Sequence, residues 1–143
     1  MTVTEANYIE KLRSSGLRPT KQRLKICDIL FNRDKTFHFS ISDLMKILQN
    51  QDNKKISLAT VYNTVHAFKN KGYLKEISIN SDKSYFDTNT SVHHHFFDED
   101  TNRLIDCDEN DLDEIKIKKN ITGKKISSVE VLIKVASDYQ NQK

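Results

Sequence analysis

Only three glycines and one proline interrupt this 143-residue chain. With so few glycines, no turn of the kind that cradles a phosphate or lifts a nucleophile stands out, and neither H-E-x-x-H nor G-x-S-x-G occurs. The two cysteines, Cys27 and Cys107, lie far apart, and neither CxxC nor CxxxC surrounds them. That excludes a disulfide framework and a thiolate-rich zinc ribbon. Cys27 falls inside an apolar helical stripe, where a buried, inert thiol is expected. Long apolar runs are missing as well, so no segment is expected to span a membrane. The opening residues, MTVTEANYIEKLRSSG, carry acidic side chains and no apolar stretch of the signal-peptide kind. The expectation is a cytoplasmic protein.

Hydrophobic residues make up 36% of the chain and charged residues 30%, which suits a small soluble protein of one domain or two small ones. The net charge of +3 is unevenly spread: residues 1–92 hold 15 Lys and Arg against 9 Asp and Glu, whereas residues 93–143 hold 8 against 11. A basic half joined to an acidic half suggests that the first meets a polyanion.

The first half reads as helices followed by a hairpin. An amphipathic segment near Tyr8–Leu12 runs to Gly16, a helix stop. Pro19 and Thr20 open a second helix, on which Leu24, Cys27, Leu30 and Phe31 recur at helical spacing. Ser40 and Asp43 resemble a capping box ahead of a third helix that buries Ile41, Leu44, Met45 and Leu48. Ser57 is the N-cap of the next helix and Gly72 ends it, with Leu58, Val61, Val65 and Phe68 as its core stripe. Ile77, Ile79 and Tyr85 flank the polar turn Asn80-Ser81-Asp82, which reads as a hairpin. Three helices and a hairpin make a winged helix.

The polar stretch Thr88–Ser91 is the linker candidate. Beyond it the pattern predicts strands around His93–Phe97 and Leu104–Cys107 and a helix with an acidic first turn at Asp108–Lys118. A last strand is expected over Ile126–Val135, with Val129, Val131, Ile133 and Val135 on one face. The fold class is therefore α+β: a winged helix-turn-helix over 1–87, a hinge over 88–92, and a small α/β unit over 93–143. Fifty residues are marginal for an independent core, so the second unit is expected to dimerise.

On the Ser57–Gly72 helix, the side opposite the core stripe opens with Ala59, Thr60 and Asn63, flanked by Tyr62 and His66. Slim, hydrogen-bonding side chains on the first turns are what a helix entering a major groove requires. Arg18, Lys21, Arg23 and Lys25 supply cations suited to phosphate contacts. An ordinary solvated helix would carry the same periodicity.

The strings GLRPTKQRLKI (16–26), SLATVYNTV (57–65), KSYFDTN (83–89) and HHHFF (93–97) resemble the ferric uptake regulator superfamily, and within it most resemble the iron response regulator branch. The match is collinear over about four-fifths of the chain. It implies a winged-helix domain hinged to a dimerisation domain, binding palindromic double-stranded DNA operators as a homodimer. Tyr62 occupies the position where members of the superfamily read a thymine, and Arg18 the basic position that reaches a minor groove beside the wing. Thr60, Asn63 and Thr64 lie on the docking surface, and Ser57, Lys21 and Arg23 complete the expected DNA contacts. Asn63 stands where many members have Arg, a departure that should shift operator preference.

His93 and His95 are expected on one face of a strand and His94 on the other, the pair about 6.8 Å apart along the backbone. His38 and Asp87 would complete an N/O site suited to Fe²⁺, Mn²⁺ or Zn²⁺. For a bare HHH, a strand of solvated histidines is the simpler account. The resemblance turns that round, because His38, Asp87 and one H-x-H pair match the superfamily's inter-domain regulatory site. Where metal sensors of the superfamily carry a CxxC for structural zinc, this chain has Asp98 and Thr101, so no Cys₄ zinc is expected. Cys27 is followed by Asp28, not by the Pro of a haem regulatory motif, which leaves haem to His94 or its neighbours. Asp113 and Glu130 are candidates for a second site. The resulting expectation is a regulator of iron or haem homeostasis under metal or haem control. The nearest alternative is a Fur-type repressor dependent directly on Fe²⁺ or Mn²⁺, and more distant ones are a metal hydrolase using the histidines and a winged helix that binds protein.

Overall fold

The computed structural model describes residues 2–51 and 55–139 and divides into two compact units, residues 1–90 and 91–143. Among the described residues no helix is long and apolar enough to cross a membrane.

The first unit is built by local signals that agree with one another. Helix α1 (Val3–Ser14) starts where the Thr2 hydroxyl accepts the Glu5 amide at 3.0 Å and ends ahead of Gly16, whose φ of +80° is left-handed. It is longer than the amphipathic segment expected around Tyr8–Leu12. Helix α2 (Lys21–Phe31) begins at Thr20, whose hydroxyl accepts the Arg23 amide at 3.2 Å. A two-residue strand, β1 (His38–Phe39), precedes α3 (Ile41–Gln51). There Ser40 and Asp43 form the reciprocal capping box, each side chain accepting the other's amide at 3.1 Å. Helix α4 (Leu58–Lys71) is capped by Ser57 and closed by Gly72 at a φ of +93°. Strands β2 (Lys75–Asn80) and β3 (Lys83–Asp87) form the wing, and β1 adds to β3, giving the order β1-β3-β2.

The core of this unit joins Leu12, Ile26, Cys27, Leu30, Phe39, Leu44, Val61, Val65, Phe68 and Phe86, all buried. Each large apolar side chain so placed stabilises by about 1.5–3 kcal/mol. Two residues of the α4 stripe depart from expectation. Leu58 is 60% exposed: it is the first helical residue, and side chains tilt toward the N-terminus, so it projects past the end of the helix. Thr64, expected on the DNA-facing surface, is fully buried, and its hydroxyl donates to the Thr60 carbonyl at 2.7 Å. It flanks Val61, Val65 and Phe68 on the inner side of the helix.

The second unit is a three-stranded sheet of β4 (His95–Asp98), β5 (Arg103–Asp106) and β6 (Leu132–Val135) in the order β5-β4-β6. Strand β4 pairs antiparallel with β5 and parallel with β6. The β4–β5 turn is an Asx turn in which Asp98 Oδ1 accepts the amide of Asp100 at 2.9 Å, and Asn102 takes a left-handed φ of 55°. The Asp100 amide foremost, then the Thr101 hydroxyl, hold the Asp98 carboxyl below its ordinary pKa.

Two expected elements are not formed as predicted. Asp108–Lys118 is not a helix: it makes a turn in which Asp111 Oδ2 accepts the Asp108 amide at 2.8 Å and then runs on irregularly. Crowded carboxylates at Asp108, Glu109, Asp111, Asp113 and Glu114 repel, and Ile115 and Ile117 alternate with a period of two. The expected strand Ile126–Val135 contracts to Leu132–Val135, the stretch with a ladder partner on the four-residue β4. Among the described residues, the buried apolar ones of the unit are Phe97 and Leu104, while Ile117, Ile121 and Ile126 are exposed.

Candidate functional site

The antiparallel register of β1 and β3 sets His38 opposite Asp87 and Phe39 opposite Phe86. His38 Nε2 lies 3.1 Å from Asp87 Oδ2. The other carboxylate oxygen accepts the Asn89 amide at 2.8 Å, so Asp87 is oriented by its own chain. The segment is tied in place because the Thr88 hydroxyl accepts the Phe37 amide at 2.8 Å and the Thr88 amide donates to the Phe37 carbonyl at 3.1 Å. Asp87 is fully buried. A carboxylate removed from water in this way is held only by compensating cations and donors.

The second unit carries the other nitrogen donors. His93 precedes β4 and His95 begins it, so the strand expected to hold both starts two residues late. The rings nevertheless lie on one side, 4.3 Å between centroids. Both Nε2 atoms converge on Asp106 Oδ1, at 3.3 Å from His93 and 3.2 Å from His95. Asp106 was not among the residues singled out from sequence. It arrives through the β4–β5 register, which pairs His95 with Asp106.

The tautomer of His93 follows from its other nitrogen. His93 Nδ1 sits 2.7 Å from the Ser91 carbonyl oxygen, and a carbonyl only accepts, so Nδ1 carries the proton. In the neutral ring the lone pair is then on Nε2, aimed at a carboxylate oxygen. Lone pair against anion is repulsive unless a cation, either a proton or a metal, lies between them. A ligating histidine whose second nitrogen donates to a carbonyl is the usual arrangement around metals. The donor set therefore fits a divalent ion of intermediate hardness.

His94 points elsewhere. Its Nδ1 accepts the Val131 amide at 2.9 Å, while its carbonyl accepts the Cys107 amide at 2.9 Å. In the neutral ring Nε2 then bears hydrogen, and neither nitrogen offers a lone pair to a metal or to haem iron. That geometry lends no support to the expectation of His94 as a haem ligand; this residue joins β4 to the segment before β6. Asp113 and Glu130 are exposed and, among the described residues, belong to no group of three or more ligating side chains. Burial pushes the Cys27 thiol up to about 12 and raises that of Cys107, which disfavours the thiolate a soft metal needs.

On α4 the exposed side of the first two turns presents Ala59, Tyr62 and Asn63. Ser57 and Thr60 are engaged with each other, their hydroxyls 2.9 Å apart. Arg18 and Lys21 are exposed, whereas Arg23 braces the turn before α2 by donating from a guanidinium nitrogen to the Arg18 carbonyl at 2.9 Å.

Residues 14–134 match the model of the ferric uptake regulator family. The chain is 33% identical over 120 residues to the peroxide operon regulator of Bacillus subtilis (strain 168), covering 83% of this chain and 81% of that one. It is 33% identical over 108 residues to the peroxide-responsive repressor PerR of Staphylococcus aureus (strain Mu50), covering 76% and 71%. In fold it is similar to the Vibrio cholerae ferric uptake regulator, with a TM-score of 0.68 at 21% identity over 90% of this chain and 98% of that one. The Helicobacter pylori ferric uptake regulator gives a TM-score of 0.67 at 15% identity, over 98% and 95%. These matches reach the family and not the iron response regulator branch within it. With the winged helix, the capped α4 and the histidine–carboxylate groups in the order the family model spans, this chain belongs to the ferric uptake regulator family.

Proposed function

We propose that this protein is a metal-responsive transcriptional regulator that binds palindromic DNA as a homodimer. In this reading residues 1–90 read DNA through α4, residues 91–143 dimerise, and one divalent ion joins His38 and Asp87 to His93, His95 and Asp106. The observation that carries it is the convergence of His93 and His95 Nε2 on Asp106 Oδ1 with His93 Nδ1 already committed to the Ser91 carbonyl. Family membership supports the DNA-binding role. The thin buried core of the second unit and its exposed Ile117, Ile121 and Ile126 support self-association.

When bound, the ion would supply positive charge to a buried carboxylate and fix donors from both units. The chain's own residues do the rest. Asn89 and Ser91 orient Asp87 and His93 through backbone groups, and the β4–β5 register presents Asp106. A ligand that binds one arrangement of the two units more tightly shifts DNA affinity by that difference, tenfold for about 1.4 kcal/mol. The test is anaerobic: metal-stripped protein is titrated onto a palindrome selected from a randomised pool, with and without Fe²⁺, Mn²⁺ or Zn²⁺. A monomer without preference for any palindrome under all of these conditions refutes the reading.

Responsiveness to peroxide is a second reading, favoured by the 33% identity to the Bacillus subtilis and Staphylococcus aureus peroxide regulators. Bound at this site, Fe²⁺ would supply one-electron chemistry toward hydrogen peroxide that Zn²⁺, which has no redox chemistry, would not. Peroxide should therefore release DNA from the iron-loaded protein and not from the zinc-loaded one.

A further inference from the structure

Within the first unit, three rings form a continuous stack from solvent to core. Tyr62 lies on the exposed side of α4, 52% accessible. One turn on, the His66 ring faces it with centroids 4.1 Å apart and planes 36° from parallel. The His66 ring also meets Phe86 of β3 in an edge-to-face arrangement, at 5.7 Å and 83°. Phe86 is buried and itself stacks on Phe39 of β1 at 5.7 Å. Tyr62, His66 and Phe86 also line one cleft between α4 and the wing.

We propose that His66 is a positioning residue for base recognition, wedged between Phe86 and Tyr62 so that the Tyr62 ring is set before DNA arrives. This rests on the reading of α4 as the DNA-reading helix. A tyrosine that is half solvated on a helix surface samples several rotamers, and freezing one on binding weakens association. Aromatic pairs at i and i+4 are common on helices and stabilise them only slightly. Here the second ring is itself anchored. The edge contact to buried Phe86 fixes the plane of His66, and the plane of His66 fixes the face on which Tyr62 rests. A smaller residue at position 66 would leave α4 intact and Tyr62 free to rotate. The role asks only for a flat ring at position 66, so a phenylalanine should serve in place of the imidazole.

The test compares the wild type with His66→Ala, His66→Phe, Tyr62→Ala and the His66→Ala/Tyr62→Ala pair, all as full-length chains loaded with Zn²⁺. Affinity is measured for a palindrome that the wild type selects from a randomised pool and for a random duplex of equal length. His66→Ala should bind the palindrome about fivefold more weakly and random DNA unchanged, and His66→Phe should recover most of the loss. In the Tyr62→Ala background, His66→Ala should cost nothing further. In DNA-free protein, the Tyr62 ring protons should lose their upfield NMR shift in His66→Ala and keep it in His66→Phe. The proposal is overturned if His66→Ala retains the palindrome preference, if the two losses simply add, or if the ring shift survives the alanine. A wild type that prefers no palindrome removes the reading of α4 along with it, and the ring shift still reports whether His66 holds Tyr62.

Discussion

Replacing Asp106 by Asn separates a metal ligand from a mere ion-pair partner, because the two roles predict opposite outcomes. The carboxylate oxygen that His93 and His95 share would become part of an amide, nearly equal in shape but uncharged. In metal-free protein the Asn NH₂ can donate to the His93 Nε2 lone pair, which Asp106 Oδ1 now faces at 3.3 Å. Asp106 is 42% exposed, so the change in metal-free stability should stay within about 1 kcal/mol. Metal binding should suffer far more, since an amide is a poorer donor to a dication. Losing even an outer-shell partner typically weakens metal affinity about 10–100-fold, so losing a ligand should cost at least as much. With free Zn²⁺ at about 100 times the wild-type Kd, binding stabilises the wild type by about 2.7 kcal/mol. A variant 100-fold weaker would gain only about 0.4 kcal/mol under the same conditions. Chelator competition gives the affinity, and urea unfolding with and without metal gives the stabilisation. Unchanged metal affinity, or a metal-free protein destabilised by several kcal/mol, would refute the assignment.

Lys21→Ala should weaken all duplexes alike and lower the salt slope by about one unit, whereas Asn63→Ala should lower preference for the selected palindrome by about 1–3 kcal/mol; binding isotherms at several salt concentrations distinguish them. His94→Phe should leave metal affinity within about twofold while costing about 1–3 kcal/mol of folding stability, as the Val131 amide loses its acceptor, a pairing of results that chelator competition and urea unfolding can check. Burial raises the Cys27 pKa from 9.0 to about 12, and burial with the Asp28 charge raises Tyr8 from 10.0 to about 12. Both groups stay neutral in the fold while the unfolded chain ionises, so their contribution to stability should be constant below about pH 9 and be lost as pH rises from 9 to 12. Urea midpoints across that range that fail to decline would contradict the burial of Cys27.

What could be read from residues alone was whatever a short stretch of chain decides. The caps at Thr20, Ser40 and Ser57 and the stop at Gly72 are side-chain or backbone events within four residues, and the helices of the first unit followed from them. Errors sit where the answer depends on distant chain. Thr64 and Leu58 lie on the two margins of one helical stripe, and periodicity cannot say which margin the rest of the bundle covers. The acidic start of Asp108–Lys118 is a local helix signal that the alternating Ile115 and Ile117 contradict. His93, His95, His38 and Asp87 came from the resemblance and from alternation. Asp106 depends on how β5 is registered against β4, although the four-residue turn Glu99–Asn102, with Asp98 before it, offered a way to count the pairing.

That count has a consequence for how this protein can change. Pairing β4 with β5 one residue out of register would set Ile105 across from His95 and turn Asp106 to the opposite face. Such a slip also turns buried Leu104 outward, whereas a turn longer by one residue keeps the register at little cost, about 0.6 kcal/mol for each doubling. Within Glu99–Asn102, Asp100 is tied to the Ser137 amide and hydroxyl and Asn102 needs a residue that accepts a left-handed backbone, which leaves Glu99 and Thr101 as the positions freer to change. A single inserted residue that slipped the ladder would, in the proposed reading, take Asp106 away from the ion and turn buried Leu104 outward with it. An insertion scan read by metal content and by stability together would therefore separate a lengthened turn, which keeps both, from a slipped ladder, which loses both.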